Sequence, residues 1–435
     1  MGERGTHKKT VWILAAVMAL LPFVRFLLPL GTARWMFYSV LGLLGAALLA
    51  WQWVEGRRIR VGWLTLAFLC VCVLSVCFSA NHEKFMAWQR LGAFILLLLV
   101  VGPLMLSHSL RRVRRRALVI AAWACVACAA YYNALYAFMV VEYCAWLSPY
   151  AWVFSHALGI AMLWAVLSAF GALFTAYELL RMPWPLGKGS CDGKWKAWVR
   201  CLWYLFCFLL CANSLIVASS RAALIAFSVA LLCMCVLRWM RLGRIPRAGC
   251  AAALALAAFC VVSVIVPLTP GMEIKLKNVD RHDDYLASRR DLWGERETEI
   301  QRYRLFGTGF GCVDDQSLNS YRKPISNQGT DIFSAEPADG VIEPGSSWMY
   351  VLSATGIPGF VLFLLLVLLA LGTSLRRAPV LPGLLIFFTL HMLVEGYVLS
   401  SGSVAAYLFW LTMACALPEA INLRHLLPWP RRKRI

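Results

Sequence analysis

SWMYVLSATGIPGFVLFLLLVLLALGTS, residues 347–374, holds no charged side chain. A run of about 18 or more apolar residues is what crossing a ~30 Å hydrocarbon layer requires. In lipid each backbone group must be satisfied within the segment, so the run reads as a helix. A closed barrel would need alternating strands of about ten residues, and this run does not alternate. Comparable runs occupy 11–31, 36–54, 61–79, 91–107, 117–140, 153–179, 200–219, 222–240, 249–268, 380–398 and 402–420. The chain therefore reads as an all-α polytopic membrane protein of about twelve transmembrane helices. Composition agrees: 61% of residues are hydrophobic, against roughly 45–50% in globular domains. The first run, which is long and contains Arg25, lacks a small-residue cleavage site and does not read as a signal peptide.

A formal charge of +20 suggests nucleic acid until its distribution is followed. With the N-terminus inside, the basic clusters at Lys8/Lys9, Arg57–Arg60, Arg111–Arg116, Arg181–Arg200, Arg238–Arg247, Arg376/Arg377 and Arg431–Arg434 all fall on the cytoplasmic side. The short outward loops carry only Arg34, Lys84, Arg90 and Arg221. The charge thus sets topology, with both termini cytoplasmic, and nucleic acid is set aside as a partner. Most of the sixteen cysteines lie inside apolar runs, where the residue behaves as a small hydrophobe. Cys144 and Cys312 fall outside them and leave a disulfide open.

Three regions follow: 1–268 with nine spans, 269–346 as one large periplasmic loop, and 347–435 with three spans and a basic tail. The loop carries fourteen of the chain's twenty-two acidic residues and ten basic ones, a density that lipid excludes. Its clearest element is a helix from Leu286 to Tyr303, with Arg289, Trp293 and Ile300 on one face and Glu295 and Arg302 elsewhere. Phe306-Gly307-Thr308-Gly309-Phe310-Gly311 then reads as a turn whose glycines permit left-handed backbone. Ser346 or Ser347 is the N-cap of the next helix, and Thr355-Gly356-Ile357-Pro358-Gly359 marks a break.

Candidate chemistry gathers on the outward side. Arg221, after Ser219-Ser220, has the planar, permanently charged fork suited to a phosphate, or is an interface anchor. Arg289 and Arg290 offer the same chemistry or a solvated face, and Trp293 on the Arg289 face favours the former. Arg25 is a further phosphate ligand or an anchor. Glu343, ahead of the tenth span, is positioned to accept a proton from an attacking hydroxyl, or is a solvated loop carboxylate. His391 and Glu395, one helical turn apart in the eleventh span, face a cavity or each other rather than lipid. No metal-ligand motif, phosphate-binding loop or nucleophile elbow occurs, and no cofactor is expected.

These strings resemble the O-antigen ligase and polymerase family. Ser219-Ser220-Arg221-Ala-Ala-Leu is similar to the start of its conserved block. Arg289-x-x-x-Trp293 followed by Leu305 through Gly311 resembles its outer-loop signature. Ser347 through Leu352, running into Thr355 through Gly359, resembles its re-entry segment, and His391-Met392-Leu393-Val394-Glu395 a late span of polymerase relatives. The resemblance implies a metal-independent glycosyltransferase at the outer face of the bacterial inner membrane. Its donor would be a glycan on undecaprenyl diphosphate and its acceptor lipid A–core or a growing polysaccharide. Arg221 and Arg289 match the arginines that hold the donor diphosphate. Where ligases carry a His-Asn pair, this chain has Gly345-Ser346, with Glu343 in the histidine's stead, so ligase and polymerase both stay open. A transporter or flippase would also use His391 and Glu395, but its paired broken helices are not seen: the special segment occurs once.

Overall fold

The computed structural model describes residues 2–26, 30–54, 60–142, 161–182, 191–242, 287–314, 344–376 and 379–418. Among these the chain is helical apart from loops and one small strand pair. The elements are α1 Gly2–Leu20, a 3-10 turn Leu21–Phe26, α2 Leu30–Val54, β1 Arg60–Val61, α3 Trp63–Cys77, α4 Ala87–Val100, β2 Met105–Leu106, α5 His108–Glu142, α6 Ala161–Arg181, α7 Cys191–Val217, α8 Arg221–Leu242, α9 Ala287–Arg302, α10 Ser347–Ser374, α11 Val380–His391 and α12 Val404–Ala416.

Among the described residues, six helices are long and apolar enough to cross a membrane: Trp35–Val54, His108–Ala134, Leu163–Arg181, Trp195–Val217, Arg221–Arg238 and Ser347–Ser374. Five expected spans are shorter apolar helices instead, at Lys9–Val24, Trp63–Cys77, Ala87–Val100, Val380–His391 and Val404–Ala416. The expected ninth span, 249–268, lies outside the described residues, as do loop residues 269–286 and 315–343. The loop helix spans Ala287–Arg302, one residue inside the expected ends. Not foreseen is the antiparallel pair of Arg60 with Leu106 and Val61 with Met105.

The largest revision concerns residues 380–398, expected as one span. The helix stops at His391, and a non-helical segment in which Met392, Val398 and Leu399 are buried and Leu393 is exposed leads into α12. The Glu395 N–H still donates to His391 O at 3.2 Å, a last turn beyond the helix end.

Every residue of α12 is buried, as a helix that is hydrophobic all round must be. Its Trp410 meets Phe94 of α4 and Phe363 of α10, and donates from Nε1 to Val398 O at 3.0 Å. Two members of the basic cluster Arg111–Arg116 hold backbone carbonyls. Arg114, fully buried, donates to the carbonyls of Leu99, Val100 and Met105, and Arg111 donates to Leu417 O. They cap the carbonyl ends of α4 and α12, where cations are favoured.

Helices α8 and α11 pack against each other. A Cβ on Gly383 would lie 3.5 Å from Met234, Phe388 meets Phe170 of α6, and Arg238 at the far end of α8 donates to Leu180 O at the far end of α6. The start of α8, the stop of α11 and the start of α10 therefore share one end of the bundle. Helix α9 packs on α10 at that same end, hereafter the loop end.

Candidate functional site

The loop end is assembled around two adjacent serines. Ser346 caps α10, its hydroxyl accepting from Met349 N and donating to Met392 O. The Ser347 N–H donates to the carbonyls of Met392 and Glu395, both at 2.9 Å. Its hydroxyl donates to Glu395 O at 2.7 Å and accepts from Tyr397 N at 3.0 Å. Helix α11 can stop at His391 inside the protein because Ser346 and Ser347 take up carbonyls that would otherwise be orphaned.

Onto this junction docks α9. Gly345, at φ 71, lies against Leu292 and Trp293, and Trp293 Nε1 donates to Gly345 O at 3.5 Å. One turn back, Arg289 Nη2 donates to Glu395 Oε1 at 2.6 Å, with each side chain 12% exposed. This ion pair joins the loop helix to the segment after α11. Arg290 is exposed on the adjoining face. His391 is buried, stacked on Phe387, with Nδ1 3.4 Å from Tyr397 OH; among the described residues its Nε2 has no hydrogen-bond partner. The side chains of His391 and Glu395 thus serve different partners.

Arg221 opens α8 at the same end, half-buried, two residues after Ser219, whose backbone is left-handed at φ 54. Ser220 supplies the first-turn acceptors, its hydroxyl to Ala223 N and its carbonyl to Leu224 N. Glu343 and the side chain of Arg25 lie outside the described residues. Pro344, the sequence neighbour of Glu343, packs directly on Gly396 beside Glu395.

The glycine turn closes the site from behind. Pro358 has no N–H, so the Ala354 carbonyl loses its helical donor. Gly356, at φ 67 and ψ −174, breaks α10 there. Gly309 N donates to Ala354 O at 3.2 Å, Thr308 N to Ser353 O at 2.8 Å, and Ile357 N turns to Arg304 O at 2.9 Å. Ser75 Oγ in α3 accepts from Phe310 N, and Ser79, just past the end of that helix, donates to Thr308 O at 2.6 Å. The turn completes the broken helix rather than standing free.

Sequence reasoning missed a buried charge cluster on α9. Arg296 and Glu299 are 0% and 1% exposed and 2.8 Å apart. The other Glu299 oxygen accepts from Asp314 N at 2.9 Å, while Asp314 pairs with Arg302. Arg296 stands seven residues after Arg289, so the same helical period places both on the buried face. Arg90, expected as a charge in a short outward loop, lies in α4, donates to Gly311 O at 3.1 Å and holds the end of the glycine turn. Cys312 is a buried free thiol, its pKa raised by burial; Cys144, the other half of the disulfide left open, lies outside the described residues.

Chemically, the loop end offers two arginine forks from separate elements, one oriented by a carboxylate. Such forks match phosphate oxygens in geometry as well as charge. Among the described residues no group of three His, Cys, Asp or Glu side chains could hold a metal ion.

Residues 206–364 match the family model described as O-antigen ligase. This stretch takes in Arg221, Arg289, the glycine turn, Ser347 and Gly356, and ends before His391 and Glu395. It bears out the resemblance to the O-antigen ligase-related family. With the apolar helices it supports a multi-pass membrane protein that transfers glycosyl groups in O-antigen or polysaccharide assembly. No curated protein matches the chain.

Proposed function

We propose that the chain transfers a glycan from undecaprenyl diphosphate to an acceptor saccharide at the periplasmic face of the bacterial inner membrane, with both termini cytoplasmic. The observation that carries the reading is the Arg289–Glu395 pair at the end of the bundle where Arg221 opens α8. Arg221 and Arg289 hold the donor diphosphate, with Arg290 and Arg25 as further cationic contacts. Glu395 fixes the Arg289 fork, and Trp293 seats α9 on Gly345.

The chemistry follows from where charge grows. As the glycosidic bond breaks, negative charge develops on the leaving diphosphate, and prepositioned guanidinium groups stabilise it without help from a metal. The acceptor hydroxyl is a weak nucleophile, so Glu343 takes its proton as the new bond forms. Glu395 suits that role less, being committed to Arg289 at 2.6 Å. Direct displacement inverts the anomeric carbon. Lipid A–core and a growing polysaccharide are the two acceptors in view.

The test is to incubate the purified protein in lipid with a labelled undecaprenyl-diphosphate oligosaccharide and each acceptor. The expected result is transfer to one of them, undiminished by excess chelator. Absence of product with both, from well-folded protein, would overturn the proposal.

A further inference from the structure

Where α9 turns back into the bundle, three consecutive residues face outward: Arg304, Leu305 and Phe306, the last only partly. Leu305 is 66% exposed although its backbone is pinned against Gly356. Phe306 stacks on Phe78, with ring centroids 4.5 Å apart, and Phe78 at the end of α3 is itself 65% exposed. A fixed tip of this kind, apolar and uncovered, asks for a partner.

Its position says which one. Ile357 N donates to Arg304 O, so the tip sits directly on the break in α10. Below the break, Ile357, Val361, Leu365 and Leu368 are exposed at helical spacing along one side of a helix of membrane-crossing length. That stripe faces lipid, and Leu305 continues it. From Gly356 to Ser374 the helix rises about 27 Å at 1.5 Å per residue, close to the ~30 Å hydrocarbon thickness. The tip therefore stands where acyl chains give way to headgroups.

We propose that Leu305, Phe306 and Phe78 enter the leaflet at the loop end, with Arg304 above them on the lipid phosphates. Aromatic and aliphatic side chains beneath a cation are what an interfacial anchor requires. The anchor fixes the C-terminal end of α9 to the bilayer surface, and so sets the depth of Arg289 on the same helix. The inference rests on α10 as a span and not on the transferase reading.

The test places p-benzoylphenylalanine at Leu305 in the full-length chain in native membranes, with Leu365 on the stripe and Thr298 on the exposed side of α9 as references. After irradiation, the expected result at 305 is a mass shift of one phospholipid, in yield comparable with 365 and far above 298. A lipid adduct at 365 without one at 305 would overturn the proposal. So would a crosslink from 305 to a second copy of the chain. Transfer activity enters neither outcome.

Discussion

The 2.6 Å contact between Arg289 Nη2 and Glu395 Oε1 ties the loop helix to the segment that follows α11. It spans 106 positions of sequence and is largely screened from solvent. A guanidinium held in this way keeps a set orientation before any ligand arrives, which lowers the cost of organising it later.

Glu395→Gln keeps the shape and removes the charge that orients Arg289. Hydrogen bonds to charged groups contribute about 2 kcal/mol, so kcat/KM should fall by roughly thirtyfold. Steady-state transfer rates at matched membrane abundance measure this. A wild-type value would mean that Arg289 is oriented by something else.

Gly356→Ala should destabilise the protein by more than about 2 kcal/mol, because its backbone region is essentially closed to residues with a Cβ. The added methyl would also enter the space of the Leu305 carbonyl. The thermal midpoint in detergent is the readout, with Gly372→Ala, where nothing lies within 4 Å, as the tolerant control.

Glu299→Gln leaves Arg296 charged in a fully buried position, with only the more distant Glu295, at 3.7 Å, as a carboxylate partner. Removing one partner of a buried pair costs about 3–5 kcal/mol, whereas replacing both by apolar residues costs less. The double variant Arg296→Met with Glu299→Met should therefore unfold at higher temperature than Glu299→Gln alone. The reverse order would show that the pair is not electrostatically coupled.

Glu343→Gln should lower the rate of transfer roughly a hundredfold while leaving donor KM near its wild-type value, the pattern of a lost general base. Unchanged turnover would return Glu343 to the role of a solvated loop carboxylate.

Much of the fold was legible because hydropathy and punctuation are local signals. The uncharged run 347–374 coincides with α10, Ser346 before it caps that helix, and Thr355 through Gly359 mark its break. The loop helix was legible from its period. The end of α11 was not, because Met392-Leu393-Val394 continues the apolar run and the donors that satisfy its carbonyls come from Ser346 and Ser347, far earlier in sequence. Arg296 stayed hidden for a related reason: charge argues for solvent, and although Glu299 stands one turn further along the same helix, the burial of the pair comes only with tertiary packing. Of the candidate site, Arg289 and Trp293 were correctly read as sharing a sheltered face. The pairing of Glu395 with Arg289 rather than with His391 depends on the helix break and could not be read from spacing.

The most direct measurement compares transfer rates of Arg221→Lys, Arg289→Lys and the double variant, at matched membrane abundance. Lysine keeps the charge but lacks the planar fork, so each single variant should lose activity by roughly tenfold or more if both arginines grip one diphosphate. Because they act on one group, the double variant should lose less than the product of the two single losses. Near-wild-type rates in both single variants would contradict the diphosphate clamp.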